Sequence, residues 1–203
     1  MQYDVNVFGL LEVTQRFMPL LRATGDGARL INVGSVGGKI CSPMGGLYCS
    51  TKHAVEALSD TLRMEMPWLS VSLVQPAIVA TEILNKRNPN KGWAFKLEGE
   101  MATRYKALAN FIERMDAVNL PLASPPSATS AVILDAVTSP YPKTRYTCAN
   151  VGGVPAWMLL LFKGILGDRV WDFLTLQAAD KAVAVTIAIC AGLAALLGGI
   201  SLL

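Results

Sequence analysis

Tyr48 and Lys52 stand four residues apart in "LYCSTKHAVEAL", followed by an apolar rhythm at Val55, Leu58 and Leu62. On a helix that spacing puts both side chains on one face, a turn apart. An ammonium beside a phenol favours the phenolate and so draws a phenol pKa down from its usual value near 10. Such a tyrosine can pass a proton to or from a substrate oxygen. The plain alternative is a solvated pair, since this spacing arises by chance in many helices. Other residues add to it. Ser35 ends an apolar run 13 residues before Tyr48, Asn6 lies in "DVNVFG", and Pro76 and Thr81 lie in "PAIVATEI". Each has a bland reading as a loop residue, a cap or a strand stop, but polar residues at consecutive strand ends are where open parallel sheets bind ligands.

The elements that must carry these residues follow from pattern. Residues 3–22 read as a helix with a broad apolar face, and "ATGDGAR" as a turn. "LINVGS" (30–35) and "VSLVQPA" (71–77) read as buried parallel strands, with a glycine-rich loop after the first. The helix bearing Tyr48 runs over 46–65 and stops before Pro67. A further helix is expected over about 98–118, another from near Ser127, and a third strand over 144–149. The stretch 155–177 reads as one or two amphipathic helices near a membrane surface or packed on the domain. Strands alternating with helices predict an α/β fold: a partial doubly wound, Rossmann-like parallel sheet of about three strands with flanking helices.

Composition narrows the classes. The 203 residues are 52% hydrophobic and only 16% charged, with a net charge of +3 and no basic cluster, which argues against a nucleic-acid partner. Cys41, Cys49, Cys148 and Cys190 fit neither a zinc site nor a disulfide framework, and His53 is the single histidine, so no metal site is expected. Residues 182–203 form 22 consecutive uncharged positions. As a helix they would span roughly 33 Å, enough to cross a hydrocarbon core of about 30 Å. A C-terminal hydrophobic helix over 181–203 is therefore expected, membrane-spanning rather than buried in a core. Arg169 and Lys181 on its near side favour a body facing the cytosol. The expected organisation is a Rossmann-like catalytic region over 1–150, a membrane-proximal segment over 151–180 and the anchor over 181–203.

Taken in order, "DVNVFG", "INVGSVGG", "YCSTKHAVEALSDTLRMEM" and "VQPAIVATEI" resemble consecutive segments of the short-chain dehydrogenase/reductase family over about residues 1–85. The wording around Tyr48 and the apolar tail resemble its membrane-associated retinol, hydroxysteroid and keto-sphingoid branches. The resemblance implies an NAD- or NADP-dependent oxidoreductase that interconverts a hydroxyl and a carbonyl on a lipophilic substrate, at the endoplasmic reticulum membrane. It implies that Tyr48 is the general acid/base and that Lys52 holds the nicotinamide ribose and lowers the Tyr48 pKa. Ser35 would bond the substrate oxygen, and Asn6 would shape its helix and hold a water of a proton relay. Pro76, Ala77, Val79 and Thr81 would line the cofactor, with the Val79 backbone at the carboxamide and Thr81 near the phosphates. Ala77 stands where the family usually has glycine, and a methyl there would crowd the cofactor. The family's opening Gly-rich turn, which binds pyrophosphate at a helix N-terminus, has no counterpart in this chain. The expectation is a truncated member with impaired cofactor binding. The alternative is a non-catalytic, membrane-tethered fragment that pairs with a second copy or a full-length relative through its two long helices.

Overall fold

The computed structural model describes residues 1–86 and 99–177. The chain divides into two units. The first comprises Met1–Val79 and Ser124–Ala149, and the second Ala80–Ala123 with the residues from Asn150 onward.

The first unit opens with a π-helical turn, Asp4–Phe8, that runs into α1 (Gly9–Thr24). Pro19 sits inside α1, and Gly25 ends it with a φ of 71°, a left-handed value that suits glycine. β1 (Arg29–Val33) follows, then a short 3-10 turn at Val36–Gly38 and α2 (Gly46–Glu65). β2 is Ser70–Pro76. The unit closes with a helix over Pro126–Thr138, which begins on a proline free of any need for its missing N–H, and a strand over Arg145–Cys148. These are α5 and β3 in chain order, because α3 (Glu82–Lys86) and α4 (Gly99–Asn119) lie in the second unit.

The sheet has the order β1-β2-β3 and is parallel throughout, with Val33 opposite Val74 and Gln75 opposite Thr147. Side-chain alternation sorts the two faces. Ile31 and Val74 pack with Tyr146, Cys148 and the α5 residues Val132, Ile133 and Ala136. On the other face Asn32 Nδ2 donates to Ser59 Oγ of α2 at 2.9 Å, and Leu30 and Val71 pack with Leu21 of α1 and Leu62 of α2. The unit is thus a sheet between two helical layers, the α/β fold that the strand–helix alternation predicts.

The second unit also holds a two-stranded antiparallel ladder, β4 (Asn150–Val151) with β5 (Val154–Pro155), and α6 (Ala156–Gln177), interrupted at Gly167. The break matches the reading of one or two helices over 155–177. Among the described residues no helix is long and apolar enough to cross a membrane. The expected anchor over 181–203 lies outside the described residues.

Candidate active site

Three of the candidate residues, Ser35, Tyr48 and Lys52, meet at the C-terminal end of β1 and on the adjoining face of α2. Ser35 leaves the strand with an extended backbone, and its side chain is buried in the turn that follows. Its Oγ accepts from the Gly37 N–H at 3.1 Å and donates to the Pro76 carbonyl at 3.4 Å, so β1 and β2 are joined at their ends through the serine. Tyr48 lies in the first turn of α2 and is 40% exposed, open to a reactant.

Gly37 brings the two together. A Cβ at Gly37 would lie 3.2 Å from Tyr48 Cε1 and 3.4 Å from Ser35 Oγ, so the phenol ring and the hydroxyl flank the same bare backbone position. A larger residue there would wedge between them. Gly38 has a related duty: its Cβ would fall 2.7 Å from the Lys52 carbonyl oxygen, which means that the loop presses directly on the α2 backbone. Sequence reasoning marked the loop as glycine-rich but did not single out these two positions. The signal was the paired glycines two residues after the serine.

Lys52 completes the face. Its Nζ is 5.8 Å from the centre of the Tyr48 ring and donates to the Val33 carbonyl at 3.3 Å. Partial burial pushes the Lys52 ammonium below the ordinary lysine value. The Val33 carbonyl is available because of strand geometry. The Gly34 N–H and the Ala28 carbonyl bond to β2, so even-numbered residues of β1 face β2 and odd-numbered ones face the other edge. Beside that edge runs a groove of about 560 Å³, lined by Asn6 and Lys52 and by apolar side chains that include Val13, Phe17 and Val33.

Asn6 acts one step back from Tyr48. Its Nδ2 donates to Thr51 Oγ1 at 3.1 Å, and Thr51 Oγ1 donates to the Tyr48 carbonyl at 2.7 Å. The π-helical turn that carries Asn6 is a rare local geometry that recurs at functional sites. Here it aims an amide at the first turn of α2. Thr51, fully buried, was not among the sequence candidates.

The Pro76–Val79 segment continues from β2. The Ala77 N–H donates to the Cys148 carbonyl at 2.9 Å, and Val79 forms a parallel bridge with Ser124. Pro76 meets Ser35, while Ala77 and Val79 are fixed to neighbouring backbone and stay half-buried. Thr81 belongs to the second unit, where its carbonyl accepts from the Leu84 N–H at the start of α3.

A hydroxyl, a phenol and an ammonium, converging at a sheet end, suit proton transfer to a carbonyl or alkoxide oxygen. Comparison with known proteins bears on this. Residues 2–92 match the family described as short chain dehydrogenase. Over this stretch, just under half of the chain, the sequence is similar to that family. An uncharacterized oxidoreductase of Schizosaccharomyces pombe is 33% identical over 166 residues, covering 79% of this chain and 64% of the relative. Retinol dehydrogenase 16 of Mus musculus is 32% identical, over 71% of this chain and 47% of the relative. An NADPH-dependent 3-dehydrocapnine reductase of Ornithobacterium rhinotracheale is 32% identical, over 84% of this chain and 59% of the relative. The chain thus spans about half to two-thirds of the length of these relatives. Among solved structures, a short chain dehydrogenase/reductase from Burkholderia phymatum in complex with NAD superposes with a TM-score of 0.51 at 22% identity. That match covers 71% of this chain and 50% of the bacterial one, and shows a shared Rossmann-like fold.

Proposed function

We propose that the chain supplies the acid–base centre of an NAD- or NADP-dependent oxidoreductase that interconverts a hydroxyl and a carbonyl on a lipophilic molecule. The observation that carries this reading is the convergence of Ser35 Oγ and the Tyr48 ring on Gly37, with the Lys52 ammonium beside that ring. Ser35 turns its one hydroxyl hydrogen from the Pro76 carbonyl to the substrate oxygen and holds that oxygen against the phenol. Tyr48 gives its proton to that oxygen in reduction and takes one in oxidation. Lys52 has N–H donors to offer the two hydroxyls of a ribose, and Tyr48 stands beside it with a polar hydroxyl. That donor set fits the nicotinamide end of a dinucleotide. The cofactor, when bound, supplies or accepts the hydride. The half-buried Pro76–Val79 segment would line its nicotinamide.

The similarity to a retinol dehydrogenase supports a lipophilic substrate. The uncharged run over 182–203 supports a membrane location, which we place at the endoplasmic reticulum with the body toward the cytosol. The deciding experiment uses the purified chain. Calorimetric titration with NADH and with NADPH is expected to show binding of one or both. Oxidation of the reduced cofactor is expected with a panel of long-chain and polycyclic ketones. Absence of both binding and turnover refutes the reading.

A further inference from the structure

About two turns beyond Tyr48 on α2 lies a buried carboxylate that the chemistry above does not use. Glu56 sits on α2 one turn beyond Lys52 and is 5% exposed. Its partners come from three other elements. Lys39 Nζ, at the end of the Val36–Gly38 turn, lies 2.9 Å from Oε2. Arg145 Nε, at the start of β3, donates to the same oxygen at 3.1 Å. Gln75 Nε2, in β2, donates to Oε1 at 2.5 Å. The ionised carboxylate only accepts, which fixes the orientation of that amide and leaves Gln75 Oε1 to accept from Thr147 Oγ1 at 2.8 Å. Two cations and an amide satisfy the carboxylate, as a buried charge requires.

Two of these arms end next to Ser35. Lys39 closes the turn whose Gly37 N–H donates to Ser35 Oγ. Gln75 immediately precedes Pro76, whose carbonyl accepts from the same Oγ. The donor and the acceptor that orient the serine are therefore both tied to one carboxylate. That carboxylate is carried by the same helix as Tyr48 and Lys52. The loop also rests on this side chain, since a Cβ at Gly38 would lie 2.9 Å from Glu56 Cγ.

We propose that Glu56 is a positioning residue for the reaction centre, fixing Ser35 against Tyr48 by holding both hydrogen-bond partners of the serine. The proposal rests on the oxidoreductase reading. Glu56 touches neither the phenol nor the ammonium, so its loss disturbs the geometry of the reacting oxygen rather than the grip on the cofactor.

The test compares the full chain with its Glu56→Gln and Lys39→Met variants. Steady-state kinetics are run with reduced nicotinamide and a long-chain ketone, and amide hydrogen exchange is followed by NMR. For Glu56→Gln, kcat is expected to fall by about ten- to a hundredfold, the scale of a misplaced reacting group, with KM for the nicotinamide within about twofold. Lys39→Met, which removes only the half-exposed arm, is expected to lower kcat in the same direction by a smaller factor. In both variants the Gly37 amide exchanges faster, while the Leu73 amide, bonded to the Thr144 carbonyl in the sheet, is unchanged. Unchanged kcat and unchanged Gly37 exchange would overturn the proposal. So would a loss of Leu73 protection in both variants, which assigns Glu56 and Lys39 to general stability. A wild-type chain that binds no nicotinamide and shows no turnover would sink the oxidoreductase reading instead, and the Gly37 exchange would still decide whether Glu56 holds the loop.

Discussion

The Lys52 ammonium stands 5.8 Å from the centre of the Tyr48 ring while donating to the Val33 carbonyl. One cation thus addresses both the phenol and the end of the strand that leads to Ser35. The lysine is held by the sheet and not left to sample solvent, which sets its distance from the tyrosine.

Replacing Tyr48 by phenylalanine tests the proton-transfer role. The ring still fills the space beside Gly37, so the fold is undisturbed, and the only loss is the hydroxyl. Turnover is expected to drop by about a hundredfold or more, the usual share of a general acid/base. The thermal midpoint should move by no more than about 2 °C, since the side chain is 40% exposed. Steady-state assays and a melting curve on the same sample check both halves. Turnover within a few-fold of wild type refutes the role.

Lys52→Met separates catalysis from stability. Burial holds the folded-state pKa of Lys52 below its unfolded value. The unfolded chain therefore binds more protons between those two values, and wild-type stability gains with rising pH across that window. The variant lacks this term. Turnover is expected to fall at every pH. The urea midpoint of wild type relative to the variant should rise as the pH approaches about 10, where the unfolded lysine titrates. A difference that is flat from neutral to alkaline pH contradicts the burial of the ammonium.

The parallel sheet of about three strands and its helices were legible because their signals are local, and the Tyr48–Lys52 juxtaposition follows from their spacing on one helix. β1 and β2 read as apolar runs, and their observed bounds differ from the reading by one or two residues at each end, where Gly34 and Ser35 leave the ladder. The helix bearing Tyr48 was legible to the residue, because glycines precede it and Pro67 follows closely. Other features were not legible because they depend on contacts distant in sequence. Asn6 reaches Thr51 across 45 residues, and Arg145 reaches Glu56 across 89. In the sequence Glu56 is one polar position beside the apolar Val55, Leu58 and Leu62, and Gln75 is one polar residue within "VSLVQPA". Pairing a lone polar residue in a buried strand with a charge on the next helix face is the signal that could have found them.

Gly38→Ala probes the contact between the loop and α2. The added methyl would meet the Lys52 carbonyl at 2.7 Å, and because that atom is helix backbone the loop itself must retreat. Overpacking of this kind costs about 1–3 kcal/mol, read as a lowered urea midpoint. Gly27→Ala is the matched control, since nothing lies within 4 Å of the new methyl and its φ is not in the left-handed region. It is expected to be neutral within about 0.5 kcal/mol. Equal losses at the two sites would show that the close approach at Gly38 is not a packing constraint.

Acid stability tests the outer half of the charged network. The Arg145 guanidinium hydrogen-bonded to Asp60 holds that carboxyl below the usual carboxylate range, against the opposing effect of burial, and Arg63 adds to the depression. A group whose folded pKa is depressed contributes stability above its unfolded value, and that contribution is lost as the pH falls through the folded one. Asp60→Asn removes the contribution but leaves Arg145 its bond to Glu56. The variant should therefore be less stable than wild type at about pH 7, with the gap narrowing steadily below about pH 4, where the unfolded aspartate takes up its proton. Urea midpoints measured across that range decide it. A gap that is constant down to about pH 2 would mean that Asp60 contributes through the shape of its hydrogen bonds and not through its charge.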